Sequence, residues 1–277
     1  MINRELINPQ SIVVVGGSNN VHKPGGRLVR NLLDGKYKGE LYVVNAKEDD
    51  VQGLKSYHSV HDIPETELAI ISIPGPACPE AVDVLAKQKN VKAFIVISAG
   101  FGEETHEGAI LEEQMLKSIN EAGASLIGPN CIGLMNMHYH VVFTQPIPEF
   151  HADGVDFISS SGGTALFIIE SALTKGLRFS SVWSVGNSKQ IGVEEVIEYM
   201  DRNFDPVLDS KIKMLYIEQI KNPDKLLYHA SSLIRKGCHI AAIKAGSTDV
   251  GKRAASSHTG AIANSDSAVE ALFRKAG

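Results

Sequence analysis

The chain predicts an α/β fold, with a doubly wound, Rossmann-like parallel sheet followed by a second parallel α/β unit. Three observations carry this. Short apolar runs rich in Val, Ile and Leu recur along the chain without the alternation of a half-exposed strand. Segments of helical periodicity separate those runs. Turns rich in Gly and Pro follow them.

Ser11-Ile-Val-Val-Val15 reads as a buried strand, and Gly25 to Leu33 as the helix after it. Glu40-Leu-Tyr-Val-Val44 is a second strand and Leu68-Ala-Ile-Ile-Ser-Ile73 a third, followed by a helix over Pro79 to Gln88. Ala93-Phe-Ile-Val-Ile97 is a fourth, with a helix over Glu107 to Ala122, and Ser125-Leu-Ile127 begins a fifth. Prolines and polar residues break the pattern between Thr144 and Gly154. It then restarts with strands at Val155 to Ile158, Ser181 to Val185, Lys213 to Ile217 and Ile240 to Ile243. Helices over Gly163 to Thr174, Gly192 to Met200 and Asp224 to Arg235 lie between them. The expected division is residues 1–150 and 151–277.

A length of 277 residues, 43% hydrophobic and 21% charged, is that of an ordinary soluble globular protein. The net charge of −5 is spread over mixed acidic and basic residues, which disfavours a nucleic-acid groove. Three widely spaced cysteines give neither a disulfide framework nor a CxxC metal site. The start, Met1 to Gln10, lacks the basic stretch and apolar run of a signal peptide, and no segment reaches membrane-spanning length. The expectation is a cytoplasmic protein with no membrane contact.

The first strand is followed by Gly16-Gly-Ser-Asn-Asn-Val-His-Lys23-Pro-Gly-Gly-Arg27, whose backbone N–H groups and adjoining helix start suit an anion. The dinucleotide pattern GxGxxG is absent. Asn45, with Lys47 nearby, stands where an NAD-binding protein carries an acidic residue for the ribose hydroxyls. A lysine there suits a phosphorylated ribose, present in both NADP and coenzyme A. Glycines that merely make tight turns remain a competing reading. Three more turn-rich loops fall on the same sheet edge: Ile73 to Pro76, Ser98 to Gly102, and Gly128 to Gly133. Together they suggest a long, partly apolar cofactor across the sheet. Cys131 reads as a small buried hydrophobe rather than a reactive thiol.

Near the end, His258 sits among small residues, with Gly246, Gly251, Gly260 and Ala254 to Ser257 around it and Lys252 and Arg253 upstream. Such surroundings leave room for another group to reach the imidazole, as a phosphoryl-accepting nucleophile requires. An exposed, idle histidine is the plain alternative. Ser159 to Gly163 opens a helix, where N–H groups and hydroxyls can cradle a phosphate or simply cap the helix. His138 and His140 read as a polar strand face, and Glu194, Glu195 and Glu198 as the exposed face of a helix.

Taken in order, these motifs resemble the NDP-forming acyl-CoA synthetases, or ADP-forming acetate–CoA ligases, relatives of the succinyl-CoA synthetase alpha subunit. The first part is similar to the family's CoA-binding domain in Val-Gly-Gly-Ser18, Arg30-Asn-Leu-Leu33, Val44-Asn-Ala-Lys47, Ile97-Ser-Ala-Gly-Phe101 and Gly128-Pro-Asn-Cys131. The second is similar to its flavodoxin-like ligase domain in Ile158-Ser-Ser-Ser-Gly162, Gly186-Asn187, Tyr216-Ile-Glu218, Lys244-Ala-Gly246 and Ser257-His-Thr-Gly-Ala261. The resemblance implies conversion of acyl-CoA, phosphate and ADP to acid, CoA and ATP through acyl phosphate and phosphohistidine.

By the same resemblance, His258 is the phosphohistidine and Glu218 the carboxylate that contacts it. Gly17, Ser18, Lys23, Gly25, Asn45, Lys47, Pro74, Ser98, Ala99 and Asn130 would hold coenzyme A. Ser160, Ser161, Gly162 and Gly163 would hold phosphate. No metal site is expected in this chain. ATP or ADP and Mg2+ would bind an ATP-grasp domain or subunit, which the chain lacks, so an oligomeric assembly is expected. The chain departs from the family at Ser159-Ser-Ser-Gly162 and at Ser188-Lys-Gln-Ile-Gly192. Two other functions stay open: a CoA- or acyl-CoA-sensing module without turnover, and an NADP-dependent oxidoreductase, which lacks a hydride-transfer constellation.

Overall fold

The computed structural model describes residues 1–245 and 273–276. A short helix, α1 (Arg4–Ile7), capped by the Asn3 side chain, leads into β1 (Ser11–Val15), four of whose five residues are buried. There follow α2 (Pro24–Asp34), β2 (Glu40–Val44), β3 (Asp50–Val51), β4 (Leu54–Tyr57) and β5 (Leu68–Ile71). A single tight turn then opens α3 (Cys78–Gln88), and β6 (Ala93–Val96), α4 (His106–Glu121) and β7 (Ser125–Ile127) complete the first sheet. Its order is β3-β4-β2-β1-β5-β6-β7. All pairings are parallel except β3 with β4, a hairpin that the sequence pattern does not signal.

Continuous apolar strands bury both faces, as a parallel sheet covered by crossover helices demands. Ile12 and Val14 face α2, packing with Leu28, Val29 and Leu32. Val13 and Val15 face the opposite side, with Phe94, Val82 and Met115. Each such fully buried side chain contributes about 1.5–3 kcal/mol relative to exposure. The chain leaves β1 toward β2 on one side and returns to β5 on the other, so the sheet's switch point lies at the carboxyl ends of β1 and β5.

A second sheet begins with a hairpin, β8 (Gly133–Met135) and β9 (His140–Val142). It continues through β10 (Phe150–Ser159), α5 (Gly162–Thr174), β11 (Phe179–Ser184), α6 (Val193–Arg202), β12 (Ile212–Ile217), α7 (Pro223–Arg235) and β13 (His239–Lys244). The order is β13-β12-β10-β11-β8-β9, with β10 to β13 parallel and the hairpin antiparallel. The second sheet is therefore mixed rather than wholly parallel. Strands of three residues are too short to show a period, which is why the hairpin is not legible in the sequence. Within it Tyr139 is buried, its hydroxyl donating to Leu6 O at 2.5 Å, and His140 lies against Phe150. His138 and His140 thus serve packing and a turn.

The hairpin also joins the two sheets. Asn31 of α2 donates to Val142 O at 2.6 Å and Thr144 O at 3.1 Å. One core runs unbroken from Leu28 and Val29 through Leu134 and Val141 to Trp183 and Leu215. At the amino ends of the second sheet lies a buried polar network. Lys213 is 1% exposed and donates to Asp156 Oδ2 at 2.5 Å and Ser210 O at 2.6 Å. Ser181 donates to Asp156 Oδ1 at 2.5 Å and accepts from Trp183 Nε1 at 2.9 Å.

Candidate active site

The carboxyl ends of both sheets open onto one cleft of about 720 Å³, within the range of small-molecule and cofactor sites. From the first sheet, the loop after β1 brings Gly16, Lys23 and Gly25 to its wall. The loops after β5, β6 and β7 bring Pro74, Ser98, Ala99 and Asn130. From the second sheet come Ser160 to Gly163 after β10, Gly186 to Ser188 after β11, and Glu218 after β12.

Two helix starts therefore flank the same space. α2 begins with Pro24, Gly25 and Gly26, and Gly25 lies so close to Gly16 that a Cβ there would sit 1.9 Å from Gly16 O. That contact seats the helix end directly against the end of β1. α5 begins with Gly162 and Gly163, its N-cap Ser161 accepting from Thr164 N at 3.3 Å. Ser160 N is tied to Tyr216 O at 2.9 Å, which fixes the entry to the helix. First-turn N–H groups lack intrahelical acceptors, so both starts present donors and a positive dipole end to an anion.

The structure does not bring every expected residue to the cleft. Gly17, Ser18, Asn45 and Lys47 lie outside its lining. Asn45 is used in closing its own loop: Nδ2 donates to Gly17 O at 2.7 Å, and Oδ1 accepts from Lys47 N at 2.9 Å and Glu48 N at 3.1 Å. Ser18 Oγ accepts from Asn20 N at 3.1 Å, and Lys47 is exposed. His258, Lys252 and Arg253 lie outside the described residues. Cys131 lines the cleft, but burial pushes its thiol up to about 12 and Sγ donates to Val96 O at 3.3 Å. It is no nucleophile at neutral pH.

A polar clasp crosses the cleft floor. Asn187 N donates to Pro129 O at 2.9 Å, and its side-chain Nδ2 donates to Glu103 at 2.6 Å and Glu112 at 3.3 Å. Lys189 pairs with the buried Glu112 at 2.9 Å. Gln190 accepts from Leu126 N at 2.7 Å and donates to Ala124 O at 3.0 Å. The segment Ser188 to Gly192, where the chain departs from its family's pattern, is thus the one that binds the second sheet to α4 and β7.

Matches to known proteins agree with this geometry. Residues 10–137 match a CoA binding domain, and residues 152–277 match a succinyl-CoA ligase like flavodoxin domain. The chain belongs to the ADP-forming acyl-CoA synthetase family. It is 36% identical over 274 residues to the alpha subunit of acetate–CoA ligase (ADP-forming) II of Pyrococcus furiosus, covering 98% of this chain and 58% of that one. It is 36% identical over 272 residues to the acetate–CoA ligase (ADP-forming) of Methanocaldococcus jannaschii, covering 97% of this chain and 37% of that one. Among solved structures, the dinucleotide-forming acetyl-coenzyme A synthetase 1 of Ca. Korarchaeum cryptofilum, in complex with phosphate and ADP, superposes with a TM-score of 0.88 at 32% identity. That match covers 99% of this chain and 58% of the other. The chain therefore spans well under two thirds of these relatives' length.

Two cleft residues of this synthetase-family chain escape the sequence pattern. Glu194, expected on an exposed helix face, is 3% exposed and turned inward. Its Oε1 accepts from Lys221 N at 2.5 Å and Asn222 N at 3.0 Å, satisfying the turn ahead of α7, which a surface carboxylate would not do. Glu195 accepts from Gly192 N at 2.9 Å and pairs with Lys225, while Glu198 pairs with Lys225 and Arg202. Lys221 also lines the cleft, donating to Asn187 O and Ser188 O. Desolvation, with the nearby Lys189 ammonium, pulls its amine below the ordinary lysine value. Only its place three residues after Glu218 could have flagged it. Among the described residues no group of three or more His, Cys, Asp or Glu is placed to hold a metal ion, and no helix is long and apolar enough to cross a membrane.

Proposed function

We propose that this chain is the acyl-CoA-handling half of an ADP-forming acid–CoA ligase, reversibly converting acyl-CoA and phosphate to acyl phosphate and CoA. One observation carries the reading: helix starts from two different sheets, each with glycine in its first turn, face one cleft. A CoA ester carries a phosphate-rich nucleotide and a reactive thioester, and its reaction with phosphate needs two anion sites within one cavity. The α2 start, with Lys23, Gly25, Pro74, Ser98, Ala99 and Asn130, serves the CoA moiety. Ser160, Ser161, Gly162 and Gly163 at the α5 start hold the attacking phosphate. Gly17, Ser18, Asn45 and Lys47 shape the first loop from behind.

A phosphate oxygen attacks the thioester carbonyl, and the C–S bond breaks as the CoA thiolate leaves and takes up a proton. The acyl phosphate remains beside Ser160 to Gly163, where the N–H groups of Gly162 and Gly163 at the helix start stabilise its charge. His258 then attacks phosphorus, releasing the carboxylate and leaving a phosphoramidate on the imidazole. Glu218, at the cleft end of β12, accepts a hydrogen bond from the N–H of the other ring nitrogen and fixes which nitrogen attacks. An ADP oxygen finally takes the phosphoryl group on an ATP-grasp domain or subunit. Mg2+ bound with the nucleotide there would offset the phosphate charge.

Incubating the chain with an acyl phosphate tests this. Intact mass should show an acid-labile phosphate on wild type and none on His258→Ala, with CoA binding unchanged. A phosphate that survives acid, or appears equally on His258→Ala, would overturn the assignment.

A further inference from the structure

We propose that Glu194 is a specificity residue that selects acyl groups ending in a hydrogen-bond donor, a hydroxyl or an ammonium, over acyl groups ending in a carboxylate. The proposal rests on reading the cleft as an acyl-CoA site. Glu194 is 3% exposed yet lines the cleft. One oxygen, Oε1, is anchored by the N–H groups of Lys221 and Asn222. The other, Oε2, makes no hydrogen bond to any described residue. It lies beside Gly192, where a Cβ would stand 3.0 Å from it, so only glycine leaves this oxygen undisturbed.

Among the described residues each nearby cation donates elsewhere. Lys221 donates to the carbonyls of Asn187 and Ser188. Lys189 pairs with Glu112 at 2.9 Å, and Lys225 pairs with Glu195 at 2.9 Å and Glu198 at 3.1 Å. That oxygen is accessible at the cleft wall, where a carboxylate oxygen holding no protein donor can accept a hydrogen bond from a ligand. A ligand hydroxyl or ammonium completes it. A ligand carboxylate meets a like charge already fixed in place, a repulsive element of the kind that sets specificity.

β-Alanyl-CoA and succinyl-CoA test this, since they have the same chain length and differ in the terminal ammonium or carboxylate. Titration calorimetry of the 277-residue chain should show β-alanyl-CoA bound about tenfold or more tighter than succinyl-CoA. Glu194→Gln keeps the anchored acceptor and replaces the other oxygen by an amide NH2. It should bring the two ligands to within about threefold while leaving free CoA binding unchanged. A wild-type ratio near one overturns the proposal whether or not the variant folds. A ratio unmoved in folded Glu194→Gln also overturns it, and CoA binding then leaves the site reading standing. If folded wild type binds no CoA compound at all, the site reading falls and takes the proposal with it.

Discussion

Placing one methyl group on Gly25 tests whether the anion site depends on close seating of α2 against β1. A Cβ at Gly25 would sit 1.9 Å from Gly16 O and 2.8 Å from Gly16 C, where real contacts do not fall below 3.0 Å. Backbone is the obstacle, so no side chain can swing away. The start of α2 must retreat by more than 1 Å, carrying its first-turn N–H groups from the cleft. Overpacking of this kind costs about 1–3 kcal/mol of stability. Displaced donors should weaken CoA binding by about tenfold or more. Gly163, on the opposite wall, has nothing within 4 Å of the point where a Cβ would stand, so alanine fits there. Gly163→Ala should keep CoA affinity and lose no stability, gaining about 0.4–1 kcal/mol through the unfolded state. Urea unfolding and CoA titration on both variants read the two effects separately. Wild-type affinity and midpoint in Gly25→Ala, or equal damage from Gly163→Ala, would refute the argument.

Two further outcomes follow from charges buried away from the cleft. Lys213→Met leaves Asp156 without its cation and should cost about 3–5 kcal/mol in urea unfolding, most of it recovered when Asp156→Asn is added. Asp201 is buried, which alone would raise its pKa, but hydrogen bonds from Lys236, His229 and Ser232 outweigh this and hold it below the ordinary aspartate value. A depressed folded pKa gives stability that is present above the unfolded value, about 3.9, and lost as pH falls through the folded one. Asp201→Asn should therefore be less stable than wild type at pH 7, with the gap closing below about pH 4. A gap of equal size in urea midpoints at pH 7 and pH 3 would contradict that sign.

Most strands of the first sheet are legible because burial on both faces leaves no alternative to continuous apolar sequence. Ser11–Val15, Glu40–Val44 and Ser125–Ile127 fall where the pattern puts them. β8 and β9 are not legible, since three residues each, fixed by pairing with distant β11, carry no local signature. In the cleft, loop glycines and serines announce themselves by composition. The Asn45 amide donates to Gly17 O and accepts within its own turn, partners that no local pattern announces. Glu194 misleads because helical spacing alone gives no sign that a charged residue is turned toward backbone donors ahead of the next helix. Burial of a charge is decided by partners far along the chain, which no window can see.

The β8–β9 hairpin bears on how such a protein can be cut and joined. It leaves the first sheet at Ile127, pairs with β11 of the second, and packs its far strand against α2 of the first. A break before Gly133 strips α2 of the chain that Asn31 holds, and a break after Val142 removes two strands from the second sheet. Either way a buried apolar face is laid open. Gene fusions, fissions and module swaps in this lineage are therefore expected to carry both sheets together and to place their junctions outside the pair.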